Sequence, residues 1–294
     1  METLTSDQRA QYRRKGYLAV PGRIPPETLD ALRAEVARFE LEAQGMTASN
    51  DRLDLEDSHT PEAPRIRRIK RPDLISPVVQ TLMRSDAILA PARDLLGPDI
   101  RLHTTKLNMK KAGYGAAIEW HQDFAFYPHT NDDVLAVGIT LDDISLENGP
   151  LMVFEGTHLG PIFDHHADGV FVGAMDLTQA GLSPHDAVPL EVKAGTITLH
   201  HGRIVHGSAL NRSDRDRRLL FVEMMAADAF PVMGAMTRFD SITEYDSRML
   251  CGRPTLAPRL ASVPVRIPQP QPDAHGSIYE IQSGLTTRSF ETLE

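Results

Sequence analysis

The sequence predicts a mainly β protein with flanking helices, its strands closing into a sandwich or barrel. Three observations lead there. Apolar residues recur at helical spacing over the first third of the chain. From residue 100 onward that period gives way to short β-type runs. Turn residues punctuate those runs, among them Gly113, Asn131-Asp132, Glu147-Asn148-Gly149-Pro150, Ala194-Gly195 and Asn211-Arg212-Ser213-Asp214.

The elements follow in order. Ser6 is a suitable N-cap for a first helix, which Gly16 would end. Tyr17–Val20 forms a short apolar strand, stopped by Pro21-Gly22. Pro26 opens a second helix whose positions Leu29, Leu32, Val36 and Phe39 share one face. Residues 45–63 are polar and acidic and predict a mobile loop. In the basic stretch Arg65, Arg67, Arg68, Lys70 and Arg71, the alternation with Ile66 and Ile69 suits a half-exposed strand better than a binding patch. Helices should occupy 74–96, broken near Ser85-Asp86.

Strands are expected at 100–109, 117–123, 134–141, 150–154, 188–192, 196–200, 203–208 and 217–226. The irregular stretch 155–187 has the length of a functional loop, such as a lid. The proline-rich tail after Pro264 should wrap the outside. With no repeat and no linker, the expectation is a single domain over 1–294: a helical flank at 1–99, a β core at 100–228 and a C-terminal extension at 229–294.

Composition narrows the partners. The net charge of −9, from 31 basic and 40 acidic side chains, sets an average field that repels nucleic acid. The single cysteine, Cys251, allows no internal disulfide and suits a reducing compartment. The N-terminus lacks the apolar segment of a signal peptide, and no run approaches the roughly 18 apolar residues of a membrane span. These features predict a cytoplasmic monomer or homodimer that acts on a small molecule.

The chemistry concentrates in two places. In Trp120-His121-Gln122-Asp123, strand alternation would aim His121 and Asp123 the same way. One distant histidine would complete a set of two imidazoles and a carboxylate, which suits iron(II) because one side of the ion stays open. His-x-Asp alone is weak, since it also occurs as a surface pair or a hydrogen-bonded turn. The stretch 200–218, HHGRIVHGSALNRSDRDRR, changes the odds. There His206, Ser208 and Arg217 would share one hairpin face if the loop holds an even number of residues.

An arginine beside iron has a definite use, because its fork binds a carboxylate bidentately and stays charged at any working pH. 2-Oxoglutarate carries such a distal carboxylate, and its keto-acid end chelates iron, leaving a position for dioxygen. The spacing from His201 to Arg212 equals that from His206 to Arg217. The later pair is preferred, since Arg217 begins an apolar strand and Ser208 adds a hydroxyl. For His200 and His201 a packed or hydrogen-bonded role is favoured.

WHQDFAFYP at 120–128, NGPLMVFEGTH at 148–158 and HGRIVHGSALN at 201–211 with Arg217 resemble the phytanoyl-CoA dioxygenase family of iron(II)/2-oxoglutarate oxygenases. The resemblance covers about 100–226 and implies a double-stranded β-helix, or jelly-roll, core. It implies His121, Asp123 and His206 as catalytic metal ligands, and Arg217 with Ser208 on 2-oxoglutarate. By similarity to ectoine hydroxylase, Asn108 in Lys106-Leu-Asn-Met-Lys110 is a further cosubstrate contact, with Thr140 and Gln122 as additional candidates. Substrate candidates are Tyr127, Phe126, Lys106 and His166; Phe126 fits core packing equally well.

Asp123 stands where halogenases of this fold carry a small residue, so the resemblance implies hydroxylation, with desaturation or cyclisation open to the same chemistry. Rival readings are a cupin-like metal enzyme without 2-oxoglutarate and a non-catalytic metal sensor; Arg217 and Asn108 argue against both. His158 is expected to be structural, as are His103, His129, His185 and His275.

Overall fold

The computed structural model describes residues 3–113, 115–233, 238–272, 277–282, 285 and 288–290; His275 lies outside the described residues. The chain opens with α1 (Ser6–Lys15). Its N-cap is Thr5 rather than Ser6: the Thr5 hydroxyl accepts from Gln8 N and the Gln8 side chain accepts from Thr5 N, a reciprocal capping box. Gly16, at φ 83°, ends the helix as expected. Then come β1 (Tyr17–Val20) and α2 (Pro26–Glu42), whose Leu29, Leu32, Val36 and Phe39 are all buried.

The acidic stretch after α2 contains a strand that the polar composition hides. β2 (Leu53–Leu55) pairs antiparallel with β3 (Ile66–Lys70). Leu53 is fully buried, and Asp54 reaches Lys70 at 2.6 Å. Two apolar residues around one paired carboxylate are enough to hold an edge strand that mean polarity argues against. Three helices follow, α3 (Pro72–Ile75), α4 (Pro77–Met83) and α5 (Asp86–Leu96), with the break near Ser85 where the sequence places it.

The β core comprises β4 (Ile100–Lys110), β5 (Ile118–His121), β6 (Val134–Thr140) and β7 (Leu151–Val153), with a single helical turn, α6 (Asp123–Phe126), after β5. It continues through the hairpin β8 (His166–Ala167) and β9 (Val170–Phe171) to β10 (Val188–Pro189), β11 (Ile197–His201), β12 (His206–Ser208) and β13 (Arg217–Ala226). Residues 203–205, expected in the strand, form the turn into β12. After β13 come α7 (Ile242–Ser247), β14 (Met249–Cys251) and α8 (Ile278–Gln282).

The larger sheet runs β1-β11-β6-β13-β4-β3-β2, with β14 beside β4, and the smaller runs β10-β7-β12-β5. All of these pairs are antiparallel. Period-two alternation divides the larger sheet into two unlike faces. Leu107, Met109, Val137, Ile139, Leu199, Leu220 and Val222 join the helix residues Leu32, Val36 and Phe39 in the largest apolar cluster. Their alternates Lys106, Asn108, His200, Arg217, Leu219 and Phe221 line a cavity with β5, β7 and β12.

Past Pro264 the C-terminal extension follows the expected outer wrap at first, with residues 264–267 exposed, but Phe290 is 2 % exposed and stacks on Trp120 with centroids 4.8 Å apart. It also lies on Gly207, where an added Cβ would meet the Phe290 ring at 2.9 Å and the Ile118 carbonyl at 3.0 Å. Phe290→Ala is therefore expected to lower unfolding free energy by about 3–5 kcal/mol. Denaturant titration checks this; an unchanged midpoint would show that the ring contributes nothing to the packing. Among the described residues no helix is long and apolar enough to cross a membrane.

Candidate metal centre

Adjacent strands of the smaller sheet bring two histidines face to face. β12 pairs with β5 so that His206 stands opposite His121, their ring centroids 4.1 Å apart. Each ring is oriented by a carbonyl two residues earlier in its own chain. His121 Nδ1 lies 2.7 Å from Glu119 O, and His206 Nδ1 lies 3.0 Å from Ile204 O. With Nδ1–H donating to a carbonyl, the Nε2 lone pair of each ring is free to bind a metal.

Both Nε2 atoms face one oxygen of Asp123, with Oδ1 3.6 Å from His121 and 3.9 Å from His206. Asp123 is the first residue of α6 and not part of the strand, so a helical turn aims it rather than strand alternation. Ligand atoms of His121, Asp123 and His206 all lie within 4.8 Å of one another, and all three residues are buried. A set of two neutral-capable nitrogens and one carboxylate at this spacing fits a six-coordinate iron(II) ion with one face open.

The electrostatics agree with metal binding. Burial by itself would push the Asp123 carboxyl up, but the nearby Lys106 charge leads the interactions that hold it well below the usual carboxylate range. Burial, with His121 close by, holds His206 well below the ordinary imidazole value. The carboxylate is thus ionised and the His206 imidazole neutral, the forms that coordinate.

Arg217 stands across the same cavity, 2 % exposed. Its Nε and Nη2 both donate to Gly149 O, at 3.1 and 2.6 Å. The turn that places this carbonyl is the Asn-Gly motif. Asn148 Nδ2 donates to Asp143 O, Ser145 N donates to Asn148 Oδ1, and Gly149 sits at φ 75°, where an added Cβ would meet Ala209 O at 2.5 Å. Among the described residues no carboxylate pairs with Arg217, and burial lowers its pKa to about 10. Next to it Asn108 Oδ1 is buried without a hydrogen-bond partner, and Ser208 also lines the cavity. A buried cation with no carboxylate partner among the described residues suits a carboxylate guest.

Other expected contacts lie elsewhere. Thr140 is opposite Leu219 on the strand ladder, but its hydroxyl donates to the carbonyls of Lys193 and Thr196 and it is absent from the cavity wall. Gln122 is fully buried, donating to Pro161 O and Arg203 O while accepting from Phe163 N. It ties the 155–187 stretch to β5 and does not line the cavity. His166 pairs with Asp164 at 2.7 Å and lies 3.1 Å from Gln269 O, also away from the cavity wall. Its neighbour His165 accepts from Gln122 N at 3.0 Å, so the two rings serve different contacts.

Lys106 lines the cavity and pairs with Glu223, whose other oxygen accepts from the Tyr127 hydroxyl at 3.2 Å. Tyr127 is 8 % exposed and packs on His103 at 4.2 Å, while Phe126 meets His121 edge-on at 5.7 Å. His158 lies 3.1 Å from Arg13 O and joins the β core to α1, as a structural residue would. Sequence reasoning misses His200 and Ile278, which also line the cavity. Polar alternation in Thr196-Ile-Thr198-Leu-His200 signals an inward His200, whereas nothing local signals Ile278.

Two imidazoles, a carboxylate and a buried arginine with no carboxylate partner among the described residues line one cavity between two antiparallel sheets, an arrangement that suits an iron(II)- and 2-oxoglutarate-dependent dioxygenase. The family model described as phytanoyl-CoA dioxygenase (PhyH) matches residues 12–219. A protein of Stutzerimonas stutzeri named as a probable alpha-ketoglutarate-dependent hypophosphite dioxygenase is 35% identical, covering 97% of this chain and 99% of its own. L-proline trans-4-hydroxylase of Streptomyces griseoviridis is 28% identical, covering 74% and 84%. The crystal structure of EctD from S. alaskensis with bound Fe shares the fold, with a TM-score of 0.66, 23% identity, and coverage of 89% and 88%. The chain belongs to the phytanoyl-CoA dioxygenase family.

Proposed function

We propose that His121, Asp123 and His206 hold iron(II), that Arg217, Ser208 and Asn108 bind 2-oxoglutarate, and that a small polar or anionic molecule is hydroxylated beside Lys106. The observation that carries this reading is the buried Arg217, unpaired among the described residues, on the wall opposite the triad. When bound, iron(II) supplies dioxygen activation coupled to decarboxylation of 2-oxoglutarate to succinate and carbon dioxide. The chain's own residues position and exclude. Arg217 draws the distal carboxylate to its guanidinium, which Gly149 O holds in place. Ile118, Leu151, Leu219 and Phe221 present apolar surface that keeps water from the reacting atoms.

Lys106 offers the substrate a cation that is already oriented by Glu223. The Stutzerimonas relative is matched over nearly its whole length, so hypophosphite is the first substrate to test, followed by proline and ectoine. We further propose that residues 1–294 act as one domain, in the cytoplasm, as a monomer or homodimer with no nucleic-acid or membrane partner.

The test is anaerobic addition of iron(II) and 2-oxoglutarate, expected to give a weak visible charge-transfer band, followed by succinate measurement in air across that panel. No band and no succinate would sink the reading. In Lys106→Met, the concentration of an anionic substrate needed for half-maximal rate is expected to rise about 10- to 100-fold, the loss of one charged hydrogen bond. The corresponding concentration of the cosubstrate should move much less. Equal changes in both would place Lys106 on the cosubstrate instead.

A further inference from the structure

Asp123 has a second oxygen, and a third histidine attends it. His200 Nε2 lies 3.5 Å from Asp123 Oδ2, while Oδ1 is the atom that faces His121 and His206. His200 is 1 % exposed, and its Nδ1 is buried without a hydrogen-bond partner. Its place follows from strand register. On the larger sheet His200 stands opposite Ala136, which in turn stands opposite Glu223. The small Ala136 side chain leaves room for the imidazole between the sheets. The Phe221 ring meets it edge-on at 5.8 Å, and the His206 ring lies 4.8 Å away. The cluster of mutually close ligand atoms comprises His121, Asp123 and His206 without His200.

We propose that His200 is a positioning residue that donates from Nε2 to Asp123 Oδ2 and so confines Asp123 to the metal through Oδ1 alone, a role that rests on the triad assignment above. Coordination number supplies the reason. Three protein ligands leave a six-coordinate ion three positions, two for a chelating keto acid and one for dioxygen. An Asp123 that chelated through both oxygens would take a fourth position, competing with a keto acid whose far end Arg217 already fixes and leaving no place for dioxygen. A donor held against Oδ2 prevents this. Partners just outside a metal's ligands change affinity or activity about 10- to 100-fold when removed.

The variants are His200→Phe, which keeps the ring volume and removes the donor, and His200→Gln, which restores an N–H donor. His121→Ala serves as the control for the triad. Each is loaded anaerobically with cobalt(II), and three quantities are read: the cobalt affinity by calorimetry, the visible cobalt spectrum, and the affinity of the loaded protein for 2-oxoglutarate. For His200→Phe the expected result is retained cobalt binding, an altered visible spectrum, and 2-oxoglutarate affinity lowered about 10- to 100-fold. His200→Gln should recover most of that affinity.

A His200→Phe protein with the wild-type spectrum and 2-oxoglutarate affinity overturns the proposal, and so does a His200→Gln protein as impaired as His200→Phe. If His121→Ala also binds cobalt like the wild type, the triad reading itself fails. If His121→Ala loses cobalt while His200→Phe is unaffected, only the positioning role is lost. Thermal denaturation of the metal-free proteins accompanies the series. Should His200→Phe fail to fold, the comparison of His200→Gln with His200→Leu decides the matter by the same readings.

Discussion

Asp123→Ala is expected to form no succinate from 2-oxoglutarate above the background of the metal-free protein, and to retain little iron after anaerobic dialysis. The carboxylate is the one anionic member of the proposed ligand set and the group on which both imidazoles converge. Loss of even an outer partner of a metal ligand costs about 10- to 100-fold in affinity, so loss of the ligand itself should exceed that range. His121→Ala and His206→Ala should behave alike, because each removes an Nε2 already oriented by a backbone carbonyl. Metal content and succinate yield are measured on the same samples. A variant that keeps both would remove its residue from the assigned ligand set.

Arg217→Met should separate binding from folding. Truncating one member of a buried charge pair typically costs about 2–5 kcal/mol of binding, so 2-oxoglutarate affinity should fall by roughly 30- to 5,000-fold. The metal-free protein, by contrast, is expected to be as stable as wild type or more so. In that state the guanidinium is buried with no carboxylate among the described residues, and burial already lowers its pKa to about 10. Thermal melts with and without 2-oxoglutarate test both halves, since a ligand raises the melting temperature only of a protein that binds it. A normal ligand-induced shift in Arg217→Met would rule out Arg217 as the carboxylate partner. Arg217→Lys should fall between the two, because it keeps the charge and loses the fork.

What could be read from the chain alone depended on distance along it. His121 and Asp123 are two positions apart, so short-range rules bring them together, but the single hairpin expected for His206, Ser208 and Arg217 does not form: β12 lies in the smaller sheet and β13 in the larger, and the three residues meet across the cavity between them. The helix over Pro26–Glu42 followed from its apolar stripe by short-range rules too. Thr140 shows where such rules stop. Strand parity puts it opposite a cavity residue, Leu219, yet the carbonyls of the 193–196 turn take its hydroxyl. Gln122 lies between His121 and Asp123 in sequence, but the loop at 161–163 captures its amide. His200 reaches Asp123 only through the pairing of β11 with β6, and Phe290 reaches Trp120 across most of the chain length; neither relation has a local signature. Leu53–Leu55 was hidden because mean polarity outweighed two well-placed leucines.

The unequal faces of the larger sheet have a consequence for how this enzyme can change. Its main apolar cluster lies between that sheet and the helices, whereas the side chains turned toward the smaller sheet are largely polar and attend the chemistry. Residues such as Lys106 and Phe221 can therefore be randomised with less threat to the folded state than their immediate strand neighbours Leu107 and Leu220, which sit in the cluster. A library restricted to the inward positions of β4 and β13 that spare Asn108 and Arg217 would explore new substrates while leaving the scaffold intact. In this architecture catalytic innovation and foldability are inherited on alternate residues of the same strands.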